Sequence, residues 1–379
     1  MKKTVIFLLS FVILISCPAQ CLAAVDVKNE KIKAKSSILM CMDTKEVIKE
    51  SNAYEHLSPA SVTKIMSILL VLEAIENGQI KLDDMVSADE IAVSMGGSQI
   101  WLEVGEMMSV NDLLKAVIIS SANDACVLLG EYISGSADAF VEKMNERVQE
   151  LGLQNTHFEN CTGLDDSVTN HYSCAYDLAV IACEVMKYDL VKKYTTVWLD
   201  SLRDGKTELN NTNKLINKYN GITGLKTGTT SNAGFCLCAT AQRDGLNLVS
   251  VVLGAQTSED RFNLSTQLLD YGFANYKLAD IKIDKKKITP VKIKSGVEKS
   301  IIPVIDNSGS FLLKKNTGEL NYKYIIKKSV KAPVIKGDIL GEIIVSDEEK
   351  ELASIPLKAD KTVRIVTFSK IFRILVNNI

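Results

Sequence analysis

Apolar positions along the chain follow two periods, and each period predicts a different kind of element. Between residues 65 and 72 they recur at helical spacing. Ser58 is suited to cap this predicted helix, Pro59 to be its first residue, and Asn77-Gly78 to end it. The same spacing predicts four further helices, at 110–120, 124–133, 137–151 and 175–187.

Strand-type patterns flank this helical region on both sides. Residues 36–43 read as a strand with its return at 46–50, and residues 233–241 and 246–253 read as a hairpin. A helix over 258–274 follows. Strands from both ends of a helical insert predict one antiparallel sheet covered by helices, an α/β (α+β) domain that spans residues 24–276.

The last hundred residues predict two further parts. Short alternating runs separated by turns predict a small all-β sandwich domain over 277–361. Residues 362–379 combine helical spacing of apolar positions with basic residues, which predicts an amphipathic helix that anchors the protein on a membrane surface. The alternative is an ordinary helix that packs on the β-domain.

The N-terminus predicts export. Residues 1–23 combine two lysines, a short apolar run and a small-residue cleavage site, as a secretory signal peptide does. In the alternative, Cys17 belongs to a lipoprotein box and carries lipid. The protein is therefore expected at the outer face of the cell membrane or in the cell wall.

Composition excludes several classes of function. A net charge of −2 gives no reason to expect nucleic acid as a partner. Beyond the leader, seven cysteines at irregular spacing predict small buried side chains rather than a disulfide framework. No pattern of cysteine and histidine suggests a metal, so we expect neither metal nor cofactor. With no G-x-S-x-G elbow in the chain, a Ser-His-Asp hydrolase is disfavoured.

Ser61 and Lys64 are the first candidates for chemistry. At i and i+3 on a helix, they share a face. A partly desolvated lysine can lose its proton near neutral pH and serve as the base for a neighbouring hydroxyl. The pair alone is weak evidence, because S-x-x-K is short enough to occur by chance.

Two further motifs strengthen this interpretation. Ser121-Ala122-Asn123 lies 60 residues after Ser61, and Lys226-Thr227-Gly228 lies 105 residues after Ser121. In this order the three motifs resemble those of the serine penicillin-binding enzymes. Asn155-Thr156-His157-Phe158 and the residues leading into Lys226 narrow the resemblance to D-alanyl-D-alanine carboxypeptidases of the low-molecular-mass penicillin-binding proteins. It extends from about Ser36 to the C-terminus.

The resemblance implies an activity and a set of roles. Such enzymes remove the terminal D-Ala of peptidoglycan stem pentapeptides through an acyl-enzyme, and β-lactam antibiotics trap the same serine. Ser61 would be the nucleophile, Lys64 its base, and Ser121 a proton relay to the leaving amine.

The other candidate residues would bind substrate. Asn123 would pin its loop or contact the substrate amide, and Lys226 and Thr227 would hold the terminal carboxylate. Gly228 would leave room for a peptide against the strand edge. The backbone N–H groups of Ser61 and Thr229 would form the oxyanion hole. Some family members have His where this chain has Thr229, so its substrate preference and turnover stay open.

Two alternatives share the same residues. A class A β-lactamase has the three motifs but needs a carboxylate that activates the deacylating water; Glu208-Leu209-Asn210 mimics the end of that segment, and we interpret it as structural. A catalytically silent wall-binding protein would have no need of Lys64. His157 and His171 are expected to stabilise loops rather than take part in catalysis.

Overall fold

A central five-stranded sheet organises the larger part of the chain in the computed structural model. The structure describes residues 34–166, 168–280, 283–305, 310–347 and 350–367. The sheet is antiparallel, with the strand order β2-β1-β9-β8-β7. Its strands are β1 Ser36–Cys41, β2 Val47–Ser51, β7 Ile222–Thr230, β8 Gly234–Arg243 and β9 Leu246–Ala255. The predicted antiparallel sheet is confirmed.

The hairpin of β8 and β9 shows why local sequence predicted this sheet well. Asp244 and Gly245 both have positive φ, 50° and 79°. A two-residue turn with this backbone matches the twist of the paired strands, and Asp-Gly is a preferred sequence for it.

Both faces of the sheet are buried, as the alternation of side chains in β1 shows. Ile38 and Met40 face the helical region, where their core partners include Cys236 and Cys238 of β8. Leu39 belongs to a second core, on the opposite face. The last helix of the domain, α8 Ser258–Asn275, covers that face.

The helical region lies between β2 and β7 in the chain, and its predicted helices are confirmed to within a few residues. The helices are α1 Lys64–Glu76, α2 Glu90–Val93, α3 Val110–Ile119, α4 Asn123–Ser134, α5 Ala137–Glu150, α6 Ala175–Val185 and α7 Asp189–Thr195. Two short hairpins complete the region: β3 Met85–Ser87 with β4 Met107–Ser109, and β5 Leu199–Leu202 with β6 Thr207–Asn210.

The start of α1 differs from the prediction. Residues Ala60–Thr63 form a 3₁₀ turn, and α1 begins at Lys64. Ser58 caps neither element, and its buried hydroxyl has no hydrogen-bond partner among the described residues. The predicted N-cap is therefore wrong, because Ala60 takes a positive φ of 49° and turns the chain before the helix begins. The predicted stop at Asn77 is confirmed.

The C-terminal part is built of short strands, as predicted. A three-stranded sheet has the order β12-β11-β16, a four-stranded sheet has the order β13-β18-β17-β15, and β10 pairs with β14. The strands are β10 Tyr276–Asp280, β11 Val291–Lys294, β12 Ser300–Ile301, β13 Val304–Ile305, β14 Ser310–Lys314, β15 Leu320–Ile326, β16 Ser329–Lys331, β17 Ile339–Asp347 and β18 Lys350–Lys358.

The predicted amphipathic helix does not begin at residue 362. Val363 is fully buried and exchanges two backbone hydrogen bonds with Val334, at 2.9 and 2.7 Å, and Ile365 forms a bridge with Gly296. Backbone pairing and burial of Val363 in the β-domain core override the helical spacing here. Residues 368–379 and the predicted signal peptide lie outside the described residues. Within the described ranges, no helix has the length and apolar character needed to cross a membrane.

Candidate active site

The 3₁₀ turn and the first residue of α1 bring Ser61 and Lys64 together. Lys64 Nζ lies 3.0 Å from Ser61 Oγ, so the predicted contact is present. The same nitrogen donates to the backbone carbonyl of Thr162 at 2.8 Å. The Lys64 side chain is fully buried, whereas Ser61 remains half-buried at the surface of the turn.

Burial alters the protonation of this lysine. It lowers the pKa of Lys64 to about 8, because the charged ammonium is deprived of water, and the thiols of Cys126 and Cys161 and the carboxylate of Asp124 only partly oppose this. The Asp124 carboxylate is engaged elsewhere, accepting from the backbone N–H groups of Ile100, Leu102 and Ala125. An amine that is partly neutral near pH 8 can accept the proton of an adjacent hydroxyl.

The loop that carries Thr162 fits closely against the 3₁₀ turn. Asn160 Oδ1 accepts the N–H groups of Thr162 and Gly163, at 3.1 and 2.7 Å, which fixes the loop. Gly163 has φ +82°, and a Cβ there would lie 1.9 Å from the carbonyl oxygen of Ala60. Glycine therefore permits the approach that brings the Thr162 carbonyl to Lys64.

Ser121 and Asn123 lie at the turn between α3 and α4, which both pack on α1. Ser121 is 4% exposed and has a positive φ of 64°. Asn123 Nδ2 donates to the carbonyl of Gly96 at 2.6 Å, and its backbone N–H donates to the carbonyl of Ser98 at 2.7 Å. Asn123 thus fixes the neighbouring loop at residues 96–98 through its two N–H donors. Its buried Oδ1 is the acceptor that has no partner among the described residues.

Strand β7 carries the third motif at one edge of the sheet. Lys226 is 1% exposed, and its Nζ donates to the carbonyl of Thr227 at 3.0 Å. Thr227 Oγ1 donates to Thr212 Oγ1 at 2.6 Å. Thr229 is exposed, and its Oγ1 donates to the carbonyl of Gly228 at 2.7 Å.

Gly228 shows that this strand lies against the Ser61 turn. A Cβ at Gly228 would lie 2.7 Å from the carbonyl oxygen of Pro59 and 3.0 Å from the backbone nitrogen of Ser61. Burial lowers the pKa of Lys226 well below its usual range, and the nearby charge of Lys64 lowers it further. The first and third motifs therefore share one site.

Arg261 of α8 is a residue of this site that the sequence did not reveal. Its Nη1 donates to the carbonyls of Gly228 and Cys236, at 2.9 and 3.0 Å, and to Thr229 Oγ1 at 3.0 Å. Burial lowers its pKa to about 10, so the guanidinium stays charged at neutral pH. It fixes the end of β7 next to the predicted carboxylate site.

His171 joins the loop at Glu159 to the 3₁₀ turn at Thr63, in keeping with the predicted structural role. Its Nδ1 accepts the N–H of Glu159 at 3.0 Å, so Nε2 carries the proton that is donated to Thr63 Oγ1 at 2.8 Å. Burial lowers the pKa of His171 to about 4, which keeps the ring neutral. The imidazole is a structural link between the loop and the turn.

The seven cysteines beyond residue 23 also follow the prediction. All seven are free and buried, and Cys126 and Cys161 lie beside Lys64. Within the described part of the chain, no cluster of histidine, cysteine or acidic residues could hold a metal ion.

Comparison with known proteins agrees with this geometry. Residues 23–257 match the family model of the peptidase S11 D-alanyl-D-alanine carboxypeptidases. The chain belongs to this family. The predicted fold class and the predicted hydrolase activity of a D-alanyl-D-alanine carboxypeptidase are thereby confirmed. Residues 276–364 match a second model, that of the C-terminal domain of penicillin-binding protein 5.

Individual relatives cover between 65% and 89% of the chain. D-alanyl-D-alanine carboxypeptidase DacF of Bacillus subtilis (strain 168) is 41% identical over 346 residues, 89% of this chain and 88% of the relative. The crystal structure of penicillin-binding protein 5 from Haemophilus influenzae superimposes with a TM-score of 0.79 at 32% identity, covering 89% of this chain and 99% of that one. Penicillin-binding protein D2 from Listeria monocytogenes in its ampicillin-bound form has a TM-score of 0.59 at 31% identity, over 65% of this chain and 99% of that one.

Proposed function

We propose that this carboxypeptidase removes the terminal D-alanine of peptidoglycan stem pentapeptides through an acyl-enzyme on Ser61. The observation that carries the proposal is the 3.0 Å contact between Ser61 Oγ and a fully buried Lys64. Together with β7, which lies against the same turn, this contact supplies a nucleophile, a base and an open strand edge.

Acylation begins with transfer of the Ser61 proton to neutral Lys64. One N–H of the neutral amine donates to Thr162, which leaves the lone pair for the serine hydroxyl. Ser61 Oγ then attacks the carbonyl carbon of the penultimate D-alanine. The backbone N–H groups of Ser61 and Thr229 are the proposed donors to the oxyanion, and losing one such donor typically costs on the order of 10²–10³ in rate.

The leaving amine needs a proton when the C–N bond breaks. Ser121 is proposed to pass it from the Lys64 ammonium, so that D-alanine departs as a neutral amine and Lys64 becomes neutral again. Its nearly complete burial at the turn between α3 and α4 supports a relay shielded from bulk water. Water then attacks the ester with Lys64 as base, which returns the proton to Ser61 and releases the shortened peptide.

The free carboxylate of the substrate is proposed to bind Lys226, Thr227 and Thr229. Lys226 is an amine with few partners, and a bound carboxylate would raise its lowered pKa and keep it charged. Because β7 is the edge strand, a peptide can lie along it as an added strand, with Gly228 allowing close approach. Asn123 is proposed to offer its unpaired Oδ1 to a substrate amide N–H.

β-Lactams are proposed to acylate the same serine and remain attached. The ampicillin-bound relative supports this, since it shares the fold of the catalytic part. The β-lactamase alternative finds less support: Glu208, the residue that mimics the deacylating carboxylate, is exposed on the β5–β6 hairpin opposite Ser201. The lysine base argues against the silent wall-binding alternative.

Location and domain division are also proposals. We infer export through a signal peptide at 1–23, a catalytic domain at 24–276 and a β-domain at 277–361, and action at the outer face of the cell membrane. The family's substrate, cell-wall peptidoglycan, supports extracytoplasmic action. Membrane association through an amphipathic helix is proposed for the residues beyond 367 only.

Mass spectrometry of a pentapeptide ending in D-Ala-D-Ala tests the proposal. The full chain is expected to release one D-alanine per peptide, and Ser61→Ala is expected to release none while melting at the wild-type temperature. Release at the wild-type rate by Ser61→Ala would refute the mechanism. Stable labelling by a fluorescent penicillin fits the carboxypeptidase, whereas rapid loss of the label fits a β-lactamase.

A further inference from the structure

The three-stranded sheet of the β-domain has one apolar and one basic face. Val291 and Ile293 of β11 are buried in the domain core, while Lys292 and Lys294 alternate with them and are exposed on the opposite face. Residues 277–361 contain 18 lysines and 12 acidic residues, although the whole chain carries a net charge of −2. Positive charge is therefore concentrated in this domain.

Strand pairing brings like charges together on that face. Lys294 lies directly beside Lys331 of β16, and Lys292 lies between Ser300 of β12 and Ser329 of β16. Like charges on paired positions of neighbouring strands destabilise a sheet. Hydroxyls beside an ammonium group, in contrast, add hydrogen-bond donors to a site for an oxyanion.

The same face borders a groove of about 980 Å³. No aspartate or glutamate is among the residues that line it. Three more lysines reach it from the neighbouring turns: Lys299, Lys327 and Lys328. Lys327 already donates through Nζ to the carbonyl of Ile339 at 2.7 Å.

We propose that this lysine face, defined as Lys292, Lys294, Lys299, Lys328 and Lys331, binds a phosphodiester-linked anionic polymer. Several ammonium groups, spaced a few ångströms apart along and across strands, match a chain of repeating charges better than one small anion. A concave groove also accepts a flexible chain, whereas a flat bilayer would contact only its rim. The proposal is independent of the chemistry at Ser61.

The binding is expected to be electrostatic and therefore sensitive to salt. Each phosphate neutralised by a lysine releases counterions, so affinity should fall steeply as salt rises from about 50 to about 200 mM. The polar side chains that line the groove are those of lysines, two serines and Thr289, with no carboxylate to repel the ligand. A change of pH within the physiological range should consequently have little effect on the affinity for the polymer.

Fluorescence anisotropy with fluorescein-labelled poly(glycerol phosphate) tests the proposal on the full chain. The test variant is Lys292→Gln/Lys294→Gln/Lys331→Gln. The matched control, Lys323→Gln/Lys336→Gln/Lys350→Gln, removes the same charge from exposed lysines outside the groove. The test variant should bind about tenfold more weakly or worse, and the control within about twofold of wild type. Equal melting temperatures and equal far-UV circular dichroism spectra of all three proteins show that the fold is kept.

Three results of the binding experiments would contradict the proposal. No binding of the polymer by the wild-type chain at low salt, or equal losses in the two variants, would overturn it. Inorganic phosphate and vesicles containing phosphatidylglycerol are the comparison probes. If the test substitutions weaken vesicle binding but not polymer binding, the face contacts lipid and the proposal is wrong.

Discussion

Lys64 Nζ donates to the backbone carbonyl of Thr162 at 2.8 Å and thereby joins the Ser61 turn to a loop nearly a hundred residues later in the chain. This hydrogen bond fixes the direction of the amine toward Ser61 Oγ. Lys64 is fully buried, and this burial is the main cause of its lowered pKa. The proposed base is thus set by both the α1 start and the 159–171 loop.

The rate of acylation should follow the protonation of Lys64. Its pKa is lowered to about 8, so the amine is mostly charged below that pH and mostly neutral above it. Acylation by a chromogenic β-lactam, followed by stopped flow, should rise with pH up to about 8 and then level off. Lys64→Arg keeps the charge but cannot accept a proton, and should lose about 10²–10⁴ in rate. A flat profile, or an active arginine variant, would rule out this base.

Lys226→Ala should discriminate between substrate ends. Removing the amine deletes the proposed partner of the terminal carboxylate, so cleavage of a free-acid peptide should fall by about tenfold or more relative to cleavage of its C-terminal amide, which releases D-alaninamide. The ratio of kcat/KM for the two substrates is the measurement, and Lys218→Ala, on the exposed side of the domain, is the control. Equal losses for both substrates would remove Lys226 from that role.

His171 should make the protein sensitive to acid. Its folded pKa is lowered to about 4 from 6.5, so the unfolded chain binds the proton first as the pH falls. The stabilisation is complete above pH 6.5 and is lost as the pH falls toward 4, by up to about 3 kcal/mol. Melting temperatures across this window should depend less on pH in His171→Gln than in wild type. An unchanged slope in His171→Gln would contradict the assignment.

Glu131 should make the stability of the fold depend on pH in the opposite direction to His171. Burial, together with repulsion by and hydrogen bonding to the neighbouring Asp89, raises its pKa to about 7. The folded state therefore holds this proton longer than the unfolded chain, and stability falls as the pH rises from 4.5 through 7. Glu131→Gln is neutral at every pH, so it should melt above wild type at pH 8 and close to it at pH 4.5. A variant that melts below wild type at pH 8 would show that the carboxylate is stabilising.

Elements with local signals were predictable from the sequence. The β8–β9 hairpin depends on Asp244-Gly245, and the Ser61–Lys64 contact depends on i, i+3 spacing. In both cases the residues that make the signal lie within a few positions of one another in the chain. The start of α1 was not predictable in this way, because the loop at Gly163 packs against Ala60 and shapes the turn.

Site residues that act through their backbone, or that lie far from the motifs in the chain, could not be predicted from the sequence. Thr162 contributes only a carbonyl, which any residue has, and Arg261 reaches Gly228 from 33 residues further along the chain. Neither belongs to a short motif. The extended path of residues 362–367 was missed because apolar residues at helical spacing were weighed without the competing strand at Val334.

Peptide mapping by mass spectrometry after brief exposure to a penicillin tests the central claim most directly. The claim is that Ser61 forms the covalent intermediate with Lys64 as its base. One adduct of the antibiotic's mass is predicted, located on the peptide that contains Ser61, with none in Ser61→Ala and only slow formation in Lys64→Arg. An adduct on another residue, or one that persists in Ser61→Ala, would contradict it.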